Sequence, residues 1–184
     1  MRSAFFLVLF VFLAGCATPR IVVLSDPLDA REHNDLGASY EAAGELDLAL
    51  KSYETAAAKD RSWDQPLINL GNVQAALGEW MRASASYRQA LKRNPENPEA
   101  MNNLAYALVN LGEPREALEL SAKAVEAQPA NPLFRATLAQ ALARTGDREK
   151  ALALLAETLR TLPLNDPLHG EISALRDQIA DSSF

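Results

Sequence analysis

From Asn97 to Pro132 the chain reads NPEAMNNLAYALVNLGEPREALELSAKAVEAQPANP, opening and closing on Asn-Pro. Asn before Pro is a helix-start signal. The side-chain amide accepts from the first free N–H groups, and proline tolerates the first helical position, where its missing donor costs nothing. Leu104, Ala105 and Leu108 then recur at helical spacing. The run stops at Gly112, a residue that enters a left-handed helix end cheaply because it lacks Cβ. Pro114 opens a second helix, since it would break one further in. The spacing predicts two helices, a tight turn between them, and a fresh start at Asn131-Pro132.

Outward from this stretch the same pattern recurs. Gly44, Gly78, Gly112 and Gly146 are 34 residues apart, and each precedes an acid: Glu45, Glu79, Glu113 and Asp147. Leu36, Leu70, Leu104 and Leu138 keep that period, as do Ala49, Ala83, Ala117 and Ala151. Pro95, Pro129 and Pro163 form a fourth series, with Arg61 in the same slot of the first unit. A fixed period of this length marks a solenoid. The pattern resembles the tetratricopeptide repeat, a 34-residue helix-turn-helix unit. Laid out from Ala30, the four units are 30–63, 64–97, 98–131 and 132–165. Gly37, Gly71, Ala105 and Ala83 sit where two helices must approach closely. Gln74, Ser121 and Leu155 depart from the aromatic residues of the family pattern. The fold class expected is all-α: an α-solenoid of four such repeats plus a capping helix. That helix falls in 166–184, where Ile172, Leu175 and Ile179 make an apolar stripe to cover the last repeat.

Arg2 precedes an unbroken apolar run of 11 residues, Ala4 to Ala14. A membrane-spanning helix needs roughly 18 or more. The run has the form of a signal-peptide core. It ends in Leu13-Ala14-Gly15-Cys16, which resembles a bacterial lipobox. The resemblance implies removal of residues 1–15, lipid on Cys16, and a tether over 16–29 containing Pro19 and Pro27. Two or more acyl chains hold a protein stably at a membrane. Ala17 follows the cysteine; by analogy with envelope sorting, the expected location is the outer membrane, facing the periplasm.

Composition narrows the function further. The chain carries 18 Lys+Arg against 24 Asp+Glu, a net charge of −6. That balance argues against a nucleic-acid partner, since no basic surface would release phosphate counterions. With one Cys and two His, it lacks the residues for a Cys-based zinc site or a usual catalytic metal centre. No phosphate loop, HExxH or GxSxG motif is present. No enzyme activity and no cofactor are expected, and His33 and His169 read as half-buried packing residues.

The resemblance also implies a binding surface. In this family the second, fifth, sixth, ninth, twelfth and thirteenth positions of each first helix line a concave groove. Here they give Asn34, Glu41, Gln65, Ile68, Asn69, Asn72, Asn102, Asn103, Tyr106, Val109, Asn110, Thr137, Gln140 and Arg144. A side-chain amide offers both a donor and an acceptor. Asn34, Asn69, Asn72, Asn102, Asn103, Asn110 and Gln140 are expected to be exposed amides that pair with the backbone of an extended peptide. Ile68, Tyr106 and Val109 would supply apolar contact, and Arg144 completes the set. The family's clamp for a C-terminal carboxylate needs Lys and Arg at slots that hold Asn34, Glu99 and Asn103 here, so that version is not expected. Two functions follow: a lipid-anchored adaptor or scaffold for a protein or peptide partner, or a permanent subunit of an outer-membrane assembly. The second would use the convex face, with Trp80, Arg82 and Arg88.

Overall fold

Two helix starts expected from Asn-Pro form as caps. Asn97 Oδ1 accepts from the N–H of Ala100 at 3.1 Å, and Asn131 Oδ1 from those of Leu133 and Phe134 at 3.0 and 3.3 Å. An unforeseen start lies at Asp29, where Asp29 and Glu32 exchange side-chain-to-backbone hydrogen bonds of 2.7 and 2.9 Å. Gly112 closes the helix that Asn97 opens. Its φ is 78°, and the following Glu113 N–H reaches back to the Leu108 carbonyl at 2.9 Å.

The computed structural model describes residues 26–181, which hold nine helices and no strand. They are α1 (Ala30–Ala42), α2 (Leu46–Lys59), α3 (Gln65–Ala76), α4 (Trp80–Arg93), α5 (Pro98–Leu111), α6 (Pro114–Ala127), α7 (Pro132–Arg144), α8 (Arg148–Thr161) and α9 (Pro167–Asp181). Each odd helix packs on the even helix after it. Neighbouring odd helices also touch: α3 on α5, α5 on α7, and α7 on α9. Four helix pairs and a final helix thus stack as a solenoid with one odd-helix surface. The lipobox, Cys16 and most of the tether lie outside the described residues. No helix among the described residues is long and apolar enough to cross a membrane.

The core follows the repeat. Ala49, Ala83, Ala117 and Ala151 are all fully buried, where even helices must come close to their neighbours. A cluster built on Tyr53, Leu67, Ile68, Val73, Tyr87, Leu104 and Leu108 runs through α2 to α5, and Ala117 extends it to α6. A second cluster joins Ala139, Ala151 and Leu155 to Ile172 and Ile179 of α9. The last helix therefore completes a core. Gln74 is buried and accepts a 2.7 Å hydrogen bond from Ser86, which explains how a polar residue stands in an aromatic slot.

Linkers are held by cations one repeat apart. Arg93 donates to the carbonyls of Ala57, Asp60 and Trp63 at 2.9, 3.0 and 2.7 Å, fixing the approach to α3. Lys59 occupies the same slot one unit earlier. It donates to the Leu28 carbonyl at 2.5 Å and pairs with Asp26 at 3.1 Å, fixing the approach to α1. His33 also bonds Asp26, at 2.5 Å. The Asp26 carboxyl is held down to about 2, chiefly by His33 and then by Lys59. His33 is thus buried and engaged, not half-buried as expected; His169 is half-buried.

Candidate functional site

The odd-helix surface carries two adjoining hollows. The larger, about 380 Å³, has Asn72, Asn102, Asn103, Tyr106 and Gln140 in its wall, drawn from α3, α5 and α7. The smaller, about 220 Å³, is lined by Asn110 and Arg144 and shares Tyr106, Gln140 and Leu175 with the first. A continuous groove therefore runs across α5 and α7. Asn34 and Asn69 lie in neither hollow.

Sequence models of the tetratricopeptide repeat match residues 68–132 and 111–179, together more than half of the chain. The chain belongs to the tetratricopeptide repeat family. No curated protein matches it. Similar solved structures include YrrB, described as a TPR protein with an unusual peptide-binding site. It is 25% identical over 82% of this chain and 76% of that one, with a TM-score of 0.67. A thermophilic TPR protein of Thermus thermophilus is 24% identical over 82% and 80%, with a TM-score of 0.66. The first TPR of Spaghetti (RPAP3), solved with an HSP90 peptide, is 20% identical over 72% and 99%, with a TM-score of 0.60.

The tetratricopeptide groove differs from the expected row of exposed, unengaged amides. Gln65 Nε2 donates to Asn69 Oδ1 at 3.0 Å, and Asn69 Nδ2 donates to Asn34 Oδ1 at 2.9 Å. Tyr87 Oη and Asn103 Nδ2 both donate to Asn72 Oδ1, at 2.8 and 2.9 Å. Asn102 Nδ2 donates to Asn103 Oδ1 at 3.1 Å, and Asn110 Nδ2 to the Tyr106 carbonyl at 2.8 Å. Two of these bonds, Asn69 to Asn34 and Asn103 to Asn72, join neighbouring odd helices to one another. The physical reason is the stacking itself: Asn34 and Asn69 are 35 residues apart and Asn72 and Asn103 are 31, so non-equivalent slots of adjacent odd helices face one another.

Further corrections concern depth. Asn102 is 7% exposed and Ile68 fully buried, because the fifth slot of α3 and α5 turns toward packed neighbours. Val109 is buried in the core as well. The apolar surface that remains accessible is Tyr106 at 41% and Leu133 at 49%. Trp80 does not stand on the convex face. Its ring meets Tyr106 edge-on, with centroids 5.6 Å apart at 81°, so it braces a groove residue. Arg88, on α4, is paired with Glu116 of α6 at 2.5 and 2.8 Å.

Residues of α9 complete the groove, and the sequence reading passed over them. Glu171, Ile172 and Leu175 line the larger hollow, and Leu175, Gln178 and Ile179 the smaller. The signal was present: Asn103, Thr137 and Glu171 are spaced by 34, so the sixth slot continues into the cap. Among the described residues no group of three or more His, Cys, Asp or Glu could hold a metal ion.

Proposed function

We propose that this protein is a lipid-anchored adaptor that holds an extended segment of a partner protein in its odd-helix groove. The observation that carries the reading is the pair of adjoining hollows, which share Tyr106, Gln140 and Leu175 and so form one elongated channel. Its walls mix exposed aromatic and aliphatic surface with amides, the composition of a pre-formed ligand cleft. The repeat family is one of interaction modules without catalytic chemistry. YrrB, similar in fold, is described as having a peptide-binding site. No cofactor, metal or nucleic acid enters this function.

The anchor is proposed from Leu13-Ala14-Gly15-Cys16, and the outer membrane, facing the periplasm, from Ala17. Cells fed an alkyne fatty acid should label the wild type and leave Cys16→Ser unlabelled. Equal labelling of both would remove the anchor from the proposal.

Partner capture from a detergent extract tests the groove. The wild type should retain a protein that Tyr106→Ala/Gln140→Ala loses, while Arg88→Glu on α4 retains it. The opposite result would favour a permanent assembly subunit docked through its even helices.

A further inference from the structure

The larger hollow has an electrostatic character that the groove as a whole does not. Among the described residues that line it there is no Lys, Arg or His, and there is one carboxylate, Glu171. Glu171 is exposed and enters none of the ion pairs among the described residues. The groove cation Arg144 lines the adjoining hollow instead.

The neutral groups of the hollow are mostly spent. Thr137 donates to the Leu133 carbonyl at 3.2 Å, and Asn103 is bonded at both ends. The bonds converge on Asn72. Tyr87 gives its proton to Asn72 Oδ1, Asn103 Nδ2 donates to the same oxygen, and Asn102 Nδ2 donates to Asn103 Oδ1. Asn102 starts this line as a donor, and its own Oδ1 is buried and has no hydrogen-bond partner. A buried polar atom of this kind needs an explanation, and an arriving donor is one. The chemistry that remains open here is an acceptor and an anion, beside an apolar wall of Leu133, Ala136, Leu175 and Tyr106.

Resting on the groove reading above, we propose that this hollow seats a basic side chain, Lys or Arg, of the bound polypeptide. Its aliphatic stem lies along the apolar wall, as long basic side chains do on such surfaces. Its head group pairs with the Glu171 carboxylate, with the Tyr106 ring beside it, and reaches the buried Asn102 Oδ1 once that side chain turns outward. A carboxylate-bearing peptide end finds no counter-charge in this hollow. The specificity is therefore opposite in sign to that of an acidic peptide.

The full chain should be tested against an array of short randomised peptides. Wild-type binders should share Lys or Arg at one position. Glu171→Gln should weaken the best of them about tenfold, the scale of one hydrogen bond to a charged group. Glu171→Lys should move the preference at that position to Asp or Glu. Asn102→Leu removes the unpaired oxygen and also the donor to Asn103 Oδ1, so melting is measured beside the array, in which the basic preference should weaken. Peptides that bind through Tyr106 and Gln140 without a basic preference would overturn this inference and leave the groove reading intact. So would a basic preference that survives Glu171→Lys. If no peptide binds at all, the groove reading fails and this inference falls with it.

Discussion

The phenol ring of Tyr87 lies directly over the α-carbon of Gly71. A Cβ on Gly71 would come within 3.0 Å of three atoms of that ring. One repeat earlier Gly37 and Tyr53 show the same relation, with the nearest ring atom 2.6 Å from such a Cβ. One and two repeats later the pairs are Ala105 with Ser121 and Ala139 with Leu155, all fully buried. Ring and methyl exclude each other, so the two slots change together.

Gly71→Ala should therefore destabilise by about 1–3 kcal/mol, the usual range for overpacking a filled core. Adding Tyr87→Leu, which copies the Ala139–Leu155 pair, should restore part of that loss. Urea denaturation of the four proteins of this double-mutant cycle checks it. Additive losses would mean that ring and methyl do not compete.

Tyr87 sets an alkaline limit. Burial, with the Glu99 charge second, raises its phenol well above the ordinary value of about 10. With the folded value above the unfolded one, the neutral phenol's contribution is intact below about pH 10 and is lost as pH rises beyond it. Stability measured from pH 9 upward should fall, and the fall should be shallower in Tyr87→Phe. Identical slopes would show that the phenol does not titrate with unfolding.

Two amides one helix apart should behave differently. Asn72→Ala strands both the Tyr87 hydroxyl and Asn103 Nδ2, which both use Asn72 Oδ1. Its cost should be about 1–3 kcal/mol. Asn110 is exposed and bonds within its own turn, so Asn110→Ala should stay within about 0.5 kcal/mol. Comparable denaturation midpoints for the two variants would contradict the ladder.

Ending the chain after Asn165 removes Ile172 and Ile179, which are buried against Ala139, Ala151 and Leu155. Melting temperature and solubility should both drop, because a solenoid without its cap exposes its last apolar face. Unchanged melting would show that α7 and α8 close the core unaided.

How much of this was legible before the structure differs by level. Asn97-Pro98, Asn131-Pro132 and Gly112 announce helix ends through local chemistry alone, and the period of 34 carries them along the chain. The groove slots were legible as positions but not as states. A sequence shows that Asn69 and Asn103 share a slot; it does not show that Asn34 and Asn72 stand within hydrogen-bond reach of them. Ile68 and Asn102 were misread for that reason, since depth depends on what the next helix brings. Trp80 was misplaced because the first turn of an even helix reaches over its neighbour. Glu171 was overlooked because α9 was read as a lid, although its slot continues the series of Asn103 and Thr137.

The contacts of Asp26 have a mechanical consequence. Tension arriving along the chain toward Ala30 meets His33 on α1 and Lys59 at the end of α2 before it reaches the first turn of the solenoid. Both helices of the first pair then share the load, because Asp26 is bonded to His33 of α1 and Lys59 of α2. With the anchor proposed above, the joint would work as strain relief does on a cable, spreading a pull at that end over the first helix pair.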